Sequence, residues 1–172
     1  MVISVSSSHL DRFVLMAFDP GGTTGVAILN ATGLESGIPT PILAQLGPHT
    51  HRLELWDMMN KYKPTHVIYE SFEFRNRTRD NLELISRDYI GVIGLWSDLN
   101  PTRLYKQSAA QAKGFIKDSG PNANIPLKRL GWYMGGKKHA MDAVRHLTYF
   151  LVNGPHHDQE LRQRILETAF KA

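Results

Sequence analysis

At 172 residues the chain has the length of one domain with a single well-buried core and is short for two. It contains no cysteine, which excludes disulfides, thiolate nucleophiles and cysteine-ligated zinc, and no apolar run approaches the roughly eighteen residues that a membrane span requires. The net charge of +4 is modest, but between Pro101 and Phe150 nine Lys or Arg stand against only Asp118 and Asp142, a clustering that suits a polyanion such as a nucleic-acid backbone.

The first twelve residues are Ser-rich, lack the features of a secretory signal and are expected to form a flexible leader. Phe13–Phe18 is a short continuous apolar run, Gly25–Leu29 a second, and Ile42–Leu46 a third after a Gly- and Pro-rich turn, so the chain is expected to open on a meander of strands. From Arg52 to Tyr62 the period changes: Leu53, Trp56 and Met59 recur at about one helical turn, and Lys63-Pro64 ends the helix. His66–Glu70 reads as the next strand. Asp80 with Glu83 has the form of a capping box ahead of a second amphipathic helix with Leu82, Ile85, Tyr89, Val92, Ile93 and Trp96 on its apolar face. Gly91 and Gly94 weaken that helix, which suggests that another backbone packs closely there.

Arg103–Lys106 is a short predicted strand, and Ser108 with Gln111 caps a short helix that breaks near Gly114. Ser119–Pro126 reads as a loop. The last long helix, Lys138–Val152, carries Met141, Val144, Leu147 and Leu151 on one stripe and closes at Gly154-Pro155. Residues 13–153 are thus expected to form one α/β domain with a mixed sheet, and 154–172 a polar tail with helical character.

The chemistry concentrates at strand ends. Asp19 follows an apolar strand and precedes Pro-Gly-Gly, and a carboxylate there is costly to desolvate unless something cationic or hydrogen-bonding meets it, so a metal ion or the phosphates of a nucleotide are the partners that fit. An Asp opening an ordinary hairpin turn is the plainer alternative. Glu70 repeats the pattern at the end of His66–Tyr69. If the two strands are neighbours, two carboxylates meet, and a divalent cation resolves their repulsion. His139 and Asp142, three apart on the last helix, share a face and could complete the set.

"FDPGGTTGVAIL", "VIYESFEF", "LYKQSAAQAK" and "KKHAMDAVRHL" resemble the successive motifs of the RuvC family of Holliday-junction resolvases, in the diverged form found in bacteriophages. The resemblance runs from about Phe13 to Val152. It implies an RNase H-like fold, with a mixed five-stranded sheet and helices on both faces. It also implies a homodimeric, cytoplasmic endonuclease of a bacterial or phage-infected cell, cutting four-way DNA junctions by paired nicks that leave 5′-phosphate and 3′-hydroxyl ends. By position, Asp19, Glu70, His139 and Asp142 fall on the family's metal-site residues, holding two magnesium ions. Manganese is expected to substitute well, because an imidazole is a softer ligand than a carboxylate.

The same resemblance gives Lys106 and Lys113 the family's basic segment facing the scissile phosphate, with Lys113 counted among the catalytic groups. Lys137 and Lys138 are expected to position phosphates. Phe72 or Phe74 would open base pairs at the junction centre, flanked by Arg75, Arg77 and Arg79. The second helix is the candidate dimer face. "DPGGTTG" also resembles the first phosphate loop of sugar kinases and actin-like ATPases, but those duplicate the fold, and no second phosphate motif is present. A nonenzymatic branched-DNA binder would be expected to lack one of the four metal-site positions, and a nuclease for forks or flaps would retain them all.

Overall fold

A computed structural model describes residues 12–33, 37–47, 52–71, 81–156 and 158–171, apart from the side chains of 81–84. β1 (Val14–Asp19) pairs antiparallel with β2 (Thr24–Asn30), and β2 antiparallel with β3 (Ile42–Leu46). α1 (Arg52–Tyr62) leads to β4 (His66–Glu70), parallel to β1, and α2 (Asn81–Leu99) leads to β5 (Arg103–Gln107), parallel to β4. The result is a mixed five-stranded sheet of order β3-β2-β1-β4-β5. α3 (Ala109–Phe115), α4 (Ile125–Arg129), α5 (Lys138–Asn153) and α6 (Gln159–Phe170) complete the chain.

β1 lies at the centre of the sheet with both faces covered, so its side chains alternate between two cores and its sequence is continuously apolar. Leu15 and Ala17 join Ala27, Leu29 and Ile68 against Val144, Leu147 and Leu151 of α5 and Leu161 and Ile165 of α6. Val14, Met16 and Phe18 join Val26, Ile28 and Val67 against Leu55 and Met59 of α1 and Tyr89, Ile93 and Trp96 of α2. Each fully buried side chain of this size contributes about 1.5–3 kcal/mol. Trp96 also donates from its indole N–H to Asn60 Oδ1 at 2.8 Å, tying α2 to α1.

Two expectations are corrected, one on the buried face of α1 and one on the segment 119–126. Leu53 is 70% exposed, and the buried face of α1 is Leu55 and Met59. At 3.6 residues per turn, an i, i+3, i+6 row has slipped about 120° by its third member, whereas Leu55 and Met59 lie one above the other. Among the described residues nothing lies within 4 Å of a Cβ built at Gly91 or Gly94, so the backbone expected against them is not among those residues. The loop expected over Ser119–Pro126 ends in the short helix α4, whose first turn accommodates Pro126 because the N–H groups there lack intrahelical partners. The segment after Gly154, expected to be a polar tail with helical character, is the helix α6, with Leu161, Ile165 and Ala169 buried on one stripe and the Asp158 side chain accepting from the Leu161 N–H at 2.9 Å. Asp80 of the expected capping box lies outside the described residues, and so does the Glu83 side chain. The box expected at Ser108 and Gln111 is present, with both reciprocal bonds formed.

Candidate metal centre

Parallel pairing sets the first half of the site. The register Phe18 to Tyr69 brings the ends of β1 and β4 level, so Asp19 and Glu70 follow at adjacent strand ends. Both alternate to the face covered by α5, as Ala17 and Ile68 do. α5 supplies the second half. Its first turn lies so close to β2 that a Cβ on Gly25 would stand 1.9 Å from the His139 carbonyl oxygen. Only glycine permits that approach, and Gly25 is the residue paired with Asp19 across β1 and β2.

The start of α5 has no capping side chain of its own. Gln45, from β3, fills the role: its Oε1 accepts from the His139 N–H at 3.1 Å and the Ala140 N–H at 3.4 Å. Thus held, α5 brings His139 Nδ1 to 3.0 Å from Asp19 Oδ2. Asp142, one turn further on, is almost fully buried, and one ligand atom each from Asp19, His139 and Asp142 lie within 4.8 Å of one another.

The charges in this space conflict. The Asp19 carboxyl is raised above its ordinary 3.8 first by burial and then by the charge of Glu70, with Asp142 adding in the same sense and the His139 hydrogen bond opposing. Asp142 is compensated instead: Oδ1 pairs with the buried Arg145 guanidinium, and Oδ2 lies 3.5 Å from Lys113 Nζ. Arg145 is itself held by the Asn124 side chain, whose Oδ1 accepts from Nη2 at 2.6 Å. Two carboxylates and an imidazole, one carboxylate disfavoured as an anion by burial and by the acids around it, form a donor set that suits a hard divalent cation such as magnesium or manganese. The cation would relieve the conflict.

Glu70 is set apart from the other three. Its charge is felt at Asp19, but its Oε2 lies 2.9 Å from Nε2 of the buried His146. Lys113 is brought to the Asp142 carboxylate by α3. Lys106, registered with Tyr69 on β5, alternates to the opposite face of the sheet. Lys137 and Lys138 line a cavity of about 310 Å³ that reaches Asp142 and Arg145 and includes the half-exposed Tyr133 and Met134. Phe72, Phe74, Arg75, Arg77 and Arg79 lie outside the described residues.

Sequence reasoning missed Gln45, Gln107, Arg145 and His146. For His146 a signal existed, because His139, Asp142 and His146 are spaced i, i+3 and i+7 and so share one helix face. Gln45 offers no local signal, because its partners lie ninety-four and ninety-five positions away.

No protein-family model matches the chain, and no curated protein matches it. Among solved structures it is similar to RuvC of Thermus thermophilus, with 16% identity and a TM-score of 0.57, over 80% of this chain and 95% of that one. It is likewise similar to T. thermophilus RuvC in complex with a Holliday junction substrate, with 14% identity and a TM-score of 0.59, over 80% of this chain and 94% of that one. The yeast mitochondrial Holliday junction resolvase matches at 10% identity and a TM-score of 0.46, over 88% of this chain and 79% of that one. The fold is therefore RNase H-like, arranged as in RuvC.

Proposed function

We propose that this chain is a divalent-metal-dependent endodeoxyribonuclease that resolves four-way DNA junctions by paired nicks. The observation that carries the reading is the Asp19, His139 and Asp142 group, with Glu70 at the adjacent strand end, on a sheet built like that of RuvC. Asp19, His139, Asp142 and Glu70 would hold two magnesium ions, with manganese as a substitute. When bound, such ions supply an activated water on one side of the phosphorus and a stabilised leaving oxygen on the other, leaving 5′-phosphate and 3′-hydroxyl ends.

The chain's own residues do the rest. Asp19, the buried acid at the centre of the group, would be its principal carboxylate ligand. His139 holds its orientation. Lys113, partly exposed beside Asp142, faces the phosphate and offsets its developing charge. Lys137 and Lys138, along the cavity that leads from Asp142, position the backbone of the cut strand. Phe72 or Phe74 with Arg75, Arg77 and Arg79, which follow Glu70 directly in the chain, would meet the junction centre.

Branched DNA is the favoured substrate because a junction-bound RuvC is among the structures the chain resembles. Paired nicks need two sites, and α2 offers the face for a second copy. Gly91 and Gly94 are open there, and Leu95 and Leu99 are 57% and 67% exposed on the same helix. No described helix is long and apolar enough to cross a membrane.

The test is cleavage of a labelled four-way junction beside linear duplex and a replication fork, with magnesium or manganese, by wild type and Asp142→Asn. Paired nicks confined to the junction, lost in the variant while gel-shift binding persists, support the proposal. Binding without cleavage overturns the nuclease reading, and cleavage of forks alone moves the chemistry to another branched substrate.

A further inference from the structure

His146 sits one turn beyond Asp142 on α5, and its side chain has no exposed surface. Both ring nitrogens are engaged: Nδ1 is 2.9 Å from Gln107 Oε1 at the end of β5, and Nε2 is 2.9 Å from Glu70 Oε2 at the end of β4. Gln107 is registered directly beside Glu70, and its backbone carbonyl accepts from the Ser71 N–H at 2.6 Å. The imidazole thus bridges two adjacent strand ends from the helix that carries His139 and Asp142.

The geometry points to His146 and Gln107 as a positioning pair for Glu70, one that fixes the rotation of its carboxylate toward the metal group. This rests on the metal-site reading given above. An ionised Glu70 oxygen has no hydrogen to give, so the hydrogen in the short contact must come from Nε2. Either Gln107 accepts from Nδ1–H of a doubly protonated ring, or its amide turns to donate to Nδ1. In both arrangements Nε2–H donates to Glu70. A glutamate has three side-chain torsions, each with its own staggered or broad wells, and 21% of the Glu70 side chain is exposed. Taking Oε2 into a hydrogen bond with a buried imidazole narrows the rotamers open to the carboxylate. The imidazole cannot itself ligate a metal, because both of its nitrogens are committed and neither reaches the surface. Hydrogen-bond partners of this kind typically change metal affinity 10–100-fold when removed.

The experiment is Mn²⁺ binding to the full chain, followed by electron paramagnetic resonance, for wild type, His146→Leu, His146→Gln, Gln107→Leu, Glu70→Gln and the double variant His146→Leu/Glu70→Gln. Thermal melts and near-ultraviolet circular dichroism check that each is folded. The expected result is affinity about 10-fold or more weaker in His146→Leu, a smaller loss in Gln107→Leu and partial rescue in His146→Gln, whose amide can still donate to Glu70. In the Glu70→Gln background, His146→Leu should cost nothing further. Wild-type affinity in folded His146→Leu and Gln107→Leu overturns the inference while leaving the metal site standing, as do losses that simply add in the double variant. If His146→Leu does not fold, His146→Gln and Gln107→Leu decide. A wild type that binds no Mn²⁺ overturns the metal reading itself and the inference with it. Junctions left uncut by a protein that shows the expected Mn²⁺ pattern overturn the nuclease reading alone.

Discussion

Burial raises the Asp19 carboxyl above its ordinary 3.8, and the charges of Glu70 and Asp142 act in the same sense. A carboxyl that holds its proton more tightly in the native state contributes stability that is complete below the unfolded value of 3.8 and is lost as pH rises through the folded one. At neutral pH, above the unfolded value, the metal-free protein has therefore lost stability through Asp19. In differential scanning calorimetry with chelator, Asp19→Asn should melt above wild type at neutral pH, with the gap narrowing as pH falls toward 3.8. Excess manganese should invert the order, because ligand at one hundred times its Kd adds about 2.7 kcal/mol to whichever protein binds it. A gap that ignores both pH and metal would show that Asp19 is not under electrostatic strain. Arg145 makes the complementary case. Arg145→Met leaves the buried Asp142 with Lys113 as its cation among the described residues, and removing one partner of a buried pair costs about 3–5 kcal/mol. Chemical denaturation should show that loss, and a divalent ion should recover part of it by taking over the compensation.

Among the elements, α1 and the start of α5 separate what a sequence displays from what only a fold reveals. Period-2 and period-3.6 patterns, the Lys63-Pro64 stop and the Ser108–Gln111 box are local, and the strands and most helices follow from them with ends displaced by a residue or two. Asp19 and Glu70 were legible as strand-terminal acids for the same reason. Which side of α1 faces the sheet was not legible, because Leu53 and Leu55 are chemically equal and only the docking angle distinguishes them. Leu55→Ala should accordingly cost about 2–5 kcal/mol in urea unfolding, and Leu53→Ala a few tenths. Equal losses would mean that α1 is rotated from the position described. The seat of α5 was equally hidden, being made by a missing side chain at Gly25 and a long-range cap from Gln45. In Gly25→Ala the added methyl must push the His139 backbone away. Overpacking of this kind costs about 1–3 kcal/mol, and here it should also weaken Mn²⁺ binding, because His139 and Asp142 move with the helix. A variant that is destabilised yet binds Mn²⁺ as wild type would show that the site tolerates the shift.

For the whole molecule, the one-domain reading rests on length, and both faces of a single sheet are covered by helices. The open glycines of α2 belong to this scale, because the backbone expected against them is not found in the described part of the chain and a second copy is the proposed partner. Leu95→Glu with Leu99→Glu should shift light-scattering mass from dimer to monomer without lowering the melting temperature, since both side chains are exposed. A dimer that survives both changes would place the interface elsewhere. Metal chemistry and pairing meet in one assay: cleavage of a supercoiled plasmid that extrudes a cruciform, with magnesium, by wild type and by the α2 double variant. Two nicks made within one binding event linearise the plasmid at the cruciform, whereas unpaired nicks relax it to an open circle. Linear product from wild type and open circles from the variant are the expected outcome. A plasmid left supercoiled by wild type, with magnesium and manganese each supplied, would contradict the proposed nuclease.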